Sequence, residues 1–299
     1  MDYVVVPLAD HISLGPGTFL LVFAGSGFLD RTRPGQFVML RARAWGSDPL
    51  LPRAFSLLDV RPGGPRGTEA DILIKATGKA SRLLERALPG AEFSLLGPLG
   101  TAFPEPSADR VDWLVAGGVG LAPLYMHARR AQELGLAGQV TLFYGGRGTA
   151  DLVLIDRIAA TGCELVLATD DGSRGVRGRV TEALDRALAS RAGEPGAGRP
   201  PPTLHACGPD PMLLAVAAVA RRHRAPCYLS LEGEMACGVG VCLACAVPCR
   251  GRPFRYTCVD GPVLPLDELA GPYAAEAHGV TPRDTLSGSR GDRSGGEAP

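Results

Sequence analysis

The chain has 299 residues, 45% of them hydrophobic, and its 31 basic residues balance 31 acidic ones. That length exceeds one average domain and the apolar fraction supports a sizeable core, so two domains plus an appendage are expected. A neutral balance with no basic block interleaved with aromatics argues against a nucleic-acid partner.

The N-terminal stretch MDYVVVPLADHISL lacks both a cationic start and a sustained apolar region, and the longest apolar run covers only residues 213–220. A membrane span needs ~20 such residues, so no membrane partner and a cytosolic location are expected. From residue 3 to about 100, short apolar strands (TFLLVFAG, GQFVMLRA, AFSLLDV, ADILIKA, AEFSLLGP) alternate with Gly and Pro. Their spacing suits a small antiparallel β-barrel over residues 1–103. One stretch, SRLLERAL at 81–88, has helical spacing and stops before Pro89-Gly90, which predicts a helix packed on one mouth of the barrel. Within the barrel, Arg53, Ala54, Phe55 and Ser56 place a cation, an aromatic and a hydroxyl on one strand. That set suits a flavin dinucleotide: guanidinium on pyrophosphate, ring over the ribityl edge, hydroxyl near the reactive nitrogen.

After the Pro-rich hinge at 104–110, strand, glycine turn and helix alternate, which predicts a parallel sheet with crossover helices over residues 107–225. Gly117, Gly118 and Gly120 follow the strand WLV and open the helix LYMHARRAQEL, so bare backbone can approach a phosphate at a helix N-terminus. Leu121-Ala122-Pro123 departs from the G-x-G-x-x-G fingerprint. Cys207 and Gly208, in CGPDPM, occupy the corresponding strand end further on, and two such turns on one sheet edge form a cleft for a nicotinamide nucleotide. The segment 191–202 reads as a flexible insertion, and 271–299 as a disordered Gly/Ser/charged tail whose Arg-Gly-Asp triplet is coincidence. The five histidines read as surface or capping residues, and Glu232 and Glu234 as solvated.

Residues 226–270 carry the sharpest chemical signal. Cys237, Cys242 and Cys245 follow the C-x4-C-x2-C spacing, with Cys258 as a distant fourth thiolate. This is the plant-type 2Fe-2S pattern; a zinc ribbon would favour two C-x2-C pairs. Gly238 and Gly240 let the backbone wrap a compact anionic cluster and aim amides at its sulfurs. Cys249 competes for the fourth place, and Cys258 is preferred because FRYT lets the chain return as a hairpin. Cys163 and Cys227 read as ordinary buried thiols.

Taken together, RAFS, GKASRLL with LLGPLG, AGGVGLAPL, TDDGSRGVRGRVTE, CGPDPML and CGVGVCLAC with CVDGPVL resemble one family. It is the electron-transfer subunits of bacterial NAD-dependent dihydroorotate dehydrogenases, within the ferredoxin-reductase superfamily. The resemblance runs from residue 3 to about 268. It implies an α+β multidomain fold with an FAD-binding barrel, a central nucleotide domain and a C-terminal 2Fe-2S loop. It assigns Arg53, Phe55 and Ser56 to FAD, together with Lys75, Ala76, Thr77, Gly78, Ser81, Gly97, Pro98 and Leu99. Ala80 and Ser81 stand where the family usually has glycine and threonine. NAD is implied over Gly117, Gly118, Gly120, Asp170, Cys207 and Gly208. NADP stays open, since Arg147 could face a 2′-phosphate and Asp170 a free ribose hydroxyl. The implied role is to pass electrons from an FMN-containing catalytic subunit through 2Fe-2S and FAD to NAD in pyrimidine biosynthesis, in a complex of two copies with two catalytic subunits. The alternatives are the NAD(P)H-oxidising subunit of a sulfhydrogenase or ferredoxin:NADP oxidoreductase and, from another class, a non-catalytic iron-sulfur sensor or scaffold.

Overall fold

Residues 1–192 and 200–274 are described by a computed structural model. Most of the expected insertion, and the expected tail from residue 275 with its Arg-Gly-Asp triplet, lie outside the described residues.

The N-terminal lobe is a seven-stranded antiparallel sheet. Its strands are β1 (Asp2–Gly15), β2 (Thr18–Phe23), β3 (Phe37–Ala42), β4 (Arg53–Ser56), β5 (Asp59–Gly64), β6 (Gly67–Lys75) and β7 (Glu92–Leu99), in the order β4-β3-β7-β1-β2-β6-β5. β1 is long enough to pair with β7 through its first half and with β2 through its second, which wraps the sheet around a core holding Phe19, Phe23 and Phe93. The run AFSLLDV divides into two strands, because Leu57 and Leu58 are fully buried at the corner between β4 and β5. The helix expected at 81–88 is α1 (Lys79–Leu84). It buries only the i, i+4 pair Ala80 and Leu84, whereas Leu88 is 73% exposed and offers no face to extend it.

The second lobe is built from β8 (Asp112–Gly117), α2 (Leu121–Glu133), β9 (Val140–Gly146), α3 (Ile155–Ala159), β10 (Glu164–Thr169), β11 (Val176–Arg177), α4 (Val180–Ala192), β12 (Thr203–Cys207), α5 (Asp210–Arg222) and β13 (Cys227–Ser230). Its sheet runs β11-β10-β9-β8-β12-β13 in parallel, with every residue of central β8 and β12 buried, as helices on both faces require. The cysteine segment contributes a small hairpin, β14 (Ala246–Pro248) with β15 (Phe254–Tyr256), and then β16 (Val263–Pro265), which adds antiparallel to β13. The segment is therefore sewn into the second lobe's sheet. The chain stays packed through its last described turn, where the Tyr273 hydroxyl meets Asp210 of α5 at 3.3 Å. Among the described residues no helix is long and apolar enough to cross a membrane.

The lobes share apolar contacts: Leu20, Leu58 and Leu73 of the first lie in one buried cluster with Leu121, Tyr125 and Leu152 of the second. A polar brace sits behind them. Asp112 opens β8 with 1% exposure and meets Nε2 of His127 on α2 and of His205 on β12, each at 3.1 Å, while Arg110 donates Nε to it at 2.5 Å. Both imidazoles are fully buried, which corrects their reading as surface or capping residues. Phe103, where the chain leaves the first lobe, packs edge-on against His205 at 5.2 Å. The trio has the residue types of a metal site, but Arg110 already places a cation on that carboxylate, donating to both of its oxygens. Burial works to raise the Asp112 pKa, and the bonds from His127, His205 and Arg110 outweigh it, holding the carboxyl well below the usual range. Burial, opposed only in part by the bond to Asp112, pushes His205 down to about 4.

The sign of the pH dependence follows. An imidazole kept neutral by the fold and free to protonate at about 6.5 when unfolded contributes stability that is complete above pH 6.5 and lost as pH falls towards 4. Denaturant unfolding should show a loss of ~2 kcal/mol between pH 7 and pH 5, at about 1.4 kcal/mol per pH unit. His205→Gln should flatten that slope.

Candidate functional site

One cavity of about 850 Å³ opens between the lobes. Its first-lobe wall is Phe37, Ala54, Phe55 and Ser56 with Lys75 and Thr77. The four residues of β4 are all half-buried, and Ala54, Phe55 and Ser56 line the cavity. The opposite wall is the C-terminal edge of the parallel sheet. The strand order reverses direction between β8 and β12, the place where open α/β sheets bind ligands.

Gly117, Gly118 and Gly120 lead from β8 into α2, and Cys207 and Gly208 lead from β12 into α5; all five line the cavity. The two turns touch. A Cβ on Gly120 would stand 2.6 Å from the Gly208 nitrogen and closer still to the Cys207 carbonyl. A 3-10 turn over Gly118–Gly120 leads into α2 with no side-chain cap at Gly117 or Gly120; the Leu121 amide is taken by the Gly118 carbonyl, so the amides presented at the positive end of this 13-residue helix belong to the glycine turn before it. Those amides, bare of side chains, fit a dinucleotide phosphate. Asp170, at the end of β10, also lines the cavity.

Cys207 sits in the cavity wall with its thiol pushed up to about 12, first by burial and then by the Glu232 carboxylate. It is a protonated thiol. Glu232 itself looks into the cavity, open to its solvent but surrounded by protein, and that burial followed by the Asp210 charge raises its pKa. Both Glu232 and Ser230 follow from the end of β13 and line the cavity, a role their sequence context does not signal because it depends on β13 joining the sheet.

The remaining flavin candidates lie elsewhere. Arg53 donates Nη1 to the Leu51 carbonyl at 2.8 Å and to the Pro52 carbonyl at 3.1 Å. The Ala76 amide closes onto Gly17 at 2.7 Å. Gly78 caps α1, where the Ser81 hydroxyl accepts the amides of Thr77 and Gly78 at 3.0 Å each. Gly97 and Pro98 run through β7, and Leu99 packs on its outer side with the cysteines. Lys75 does line the cavity, but its ammonium is engaged by Asp151 of the second lobe at 2.7 Å.

The cysteine loop lies against the back of that first-lobe wall. Cys245 and Cys258 are buried with Phe37, Met39 and Leu99, with Ala54 packed beside them. Their sulfurs stand 3.2 Å apart. Burial and the neighbouring Cys245 push Cys258 up to about 12 as a free thiol. Cys237 is the opposite case: amides of Cys242 and Val239 point at its sulfur, each at 3.4 Å, and pull it down to about 6. Gly238 has φ +74°, and a Cβ there would meet Met39 at 2.5 Å, so the loop lies directly on β3. Cys242 is exposed at the outer rim. Cys249 belongs to a different buried cluster, with Leu266 and Leu269, from the one that holds Cys245 and Cys258. Two buried thiols in contact, Cys245 and Cys258, with amides aimed at the sulfur of Cys237 on the same loop, fit a thiolate-ligated cluster better than a set of inert core cysteines. Cys163 and Cys227 are buried with raised pKa values, burial being the leading cause in both.

A family model described as the iron-sulfur cluster binding domain of dihydroorotate dehydrogenase B matches residues 232–270, and one described as an oxidoreductase NAD-binding domain matches residues 114–218. The chain is 38% identical over 259 residues to a Geobacillus kaustophilus protein named dihydroorotate dehydrogenase B (NAD(+)), electron transfer subunit, covering 84% of this chain and 92% of that one. It is 33% identical to the homologue so named in Aquifex aeolicus, covering 81% and 87%. Among solved structures it is similar to an NADH-dependent reduced ferredoxin-NADP oxidoreductase involved in flavin-based electron bifurcation, with TM-score 0.75, 26% identity and coverage of 89% and 90%.

The contact between the two turns makes a sharp prediction. Gly120→Ala should cost ~2 kcal/mol or more by overpacking against rigid backbone, read as a lower denaturant midpoint, and should abolish binding of NADH by titration.

Proposed function

The chain belongs to the family of dihydroorotate dehydrogenase B electron-transfer subunits, and from that premise we propose how its residues divide the work. As a member it is an oxidoreductase subunit that binds FAD, a 2Fe-2S cluster and NAD and serves a catalytic partner that oxidises dihydroorotate. FAD, when bound, would supply two-electron exchange with NAD and one-electron exchange with the cluster, the chemistry that joins a two-electron substrate to a one-electron relay. The observation that carries the reading is a single wall with two faces: Ala54 and Phe37 line the cavity on one side and pack with the buried cysteines on the other.

In this reading Ala54, Phe55, Ser56, Lys75 and Thr77 hold FAD, with their chain neighbours Arg53, Ala76, Gly78 and Ser81. Gly97, Pro98 and Leu99 complete the wall shared with the cysteine loop. The bare turn of Gly117, Gly118 and Gly120 takes the phosphates of NAD, Cys207 and Gly208 border its nicotinamide, and Asp170 faces its ribose. The pairing of Arg147 with Asp151, at 3.3 Å from Nε, supports NAD over NADP, because that guanidinium already has a carboxylate partner. Cys207, protonated in the cavity wall, supplies a small uncharged surface there.

Cys237, Cys242, Cys245 and Cys258 hold the cluster. The outer lip of their loop supports placing the catalytic subunit on it: Val241, Leu243 and Val259 are 78%, 51% and 52% exposed, an apolar rim beside Cys242 that suits a protein partner. The two-plus-two assembly implied by the family belongs to the same proposal.

Two experiments test it. Mixed with the organism's catalytic dihydroorotate dehydrogenase subunit without oxygen, this chain should support NAD reduction by dihydroorotate at a rate that needs both proteins. No rate, from protein that still accepts electrons from NADH, would move the assignment to a hydrogenase or ferredoxin partner. Cys258→Ser should lose the visible absorbance of the cluster and its paramagnetic resonance after reduction while keeping flavin absorbance. Cys249→Ser should keep both, and the reverse result would exchange the two roles.

A further inference from the structure

The acid pair Asp59 and Asp71, at one edge of the first lobe, is 5% and 2% exposed at the side chains. Within its own lobe it has one close cation: Arg61 grips Asp71 with both terminal nitrogens at 2.7 Å and reaches Asp59 at 3.4 Å. Two buried carboxylates facing one guanidinium are a charge short. Arg157, on α3 of the second lobe, supplies it, donating to Asp71 at 2.9 Å and to Asp59 at 3.1 Å with the Tyr125 ring 5.2 Å from its guanidinium carbon.

Six residues earlier a second bridge crosses the same boundary with the charges reversed. Asp151 takes the ammonium of first-lobe Lys75 on one oxygen at 2.7 Å and the Arg147 amide on the other at 3.1 Å. Lys75, Arg147 and Asp151 all line the cavity. The leucine contacts between the lobes are non-directional and would tolerate sliding. Two ion pairs of opposite polarity, with fixed donor geometry, permit one register only.

We propose that residues 147–157 form an electrostatic clamp that sets the width of the cavity, with Arg157 and Asp151 as positioning residues for transfer between nicotinamide and flavin. This rests on the reading that flavin lies against the β4 wall and the nucleotide on the sheet edge. In the direction tested, NADH gives up a hydride, one hydrogen with its electron pair, and becomes NAD+, while the bound flavin takes up that hydride and is reduced by two electrons; no further reactant is needed. Neither positioning residue touches the reacting atoms. Their effect is on the gap those atoms must cross, where an error of about 1 Å can cost up to about a hundredfold in rate.

The test is single-turnover bleaching of the flavin by NADH in the full-length, cofactor-loaded chain, compared with Arg157→Met, Arg157→Lys and Asp151→Asn. In Arg157→Met the rate at saturating NADH should fall roughly tenfold or more while the NADH dissociation constant stays within about twofold, and Lys should restore most of the loss. Amide hydrogen exchange of the cofactor-free chain should quicken in 147–157 and in β5 and β6 of Arg157→Met. If Arg157→Met does not fold, Asp151→Asn, which keeps an acceptor for Lys75 but not its charge, should show the same selective loss of saturating rate. A variant that folds, holds flavin and bleaches at the parent rate overturns the clamp and leaves the cavity assignment standing. Parent protein whose bound flavin NADH cannot reduce overturns the cavity assignment, and the clamp with it.

Discussion

Strand β3 is buried on both faces. Val38 and Leu40 point into the core of the first lobe, while Phe37 and Met39 point outward and are covered by the cysteine loop, leaving all four at most 2% exposed. A strand at that position in an antiparallel lobe would ordinarily show water one of its faces. Its second burial ties the cysteine segment to the first lobe even though that segment is threaded through the second lobe's sheet by β13 and β16. One strand thus fixes where the thiols stand relative to the cavity wall, and the electron-transfer reading follows from that placement.

The rest of the joint is electrostatic, and it is arranged by burial. The Asp112 brace holds β8, α2 and β12 together behind the cleft, with Phe103 packed edge-on against it. Asp59 and Asp71 sit at the edge of the first lobe, where Arg61 and Arg157 meet them from two directions. In both places a carboxylate is taken out of water and matched by several donors at once, which makes each an orienting device more than a source of net stability. Directional contacts of this kind suit a protein whose function depends on fixed gaps between bound groups.

The cysteines show how environment divides one residue type into roles. Cys237 has amides aimed at its sulfur and is lowered, Cys207 and Cys227 are buried and inert, and Cys249 packs in an apolar cluster with Leu266 and Leu269. Counting thiols would not separate them, because the difference lies in which backbone N–H groups and which apolar side chains surround each sulfur.

By itself the sequence determined what the backbone demands locally. The C-x4-C-x2-C spacing, the bare turn from Gly117 to Gly120 and the CGPDPM turn are short-range requirements, written in residues a few positions apart, and they point to cluster, phosphate and cleft without any fold. Tertiary structure decided the pairings between distant residues. Lys75 meets Asp151 and Arg157 meets Asp71 across 76 and 86 positions, His205 meets Asp112 across 93, and Glu232 reaches the cavity only because β13 joins the sheet. An isolated Asp, His or Lys carries no periodicity and reads as solvated, so its partner is set by the packing that brings two lobes together and not by its neighbours in the chain.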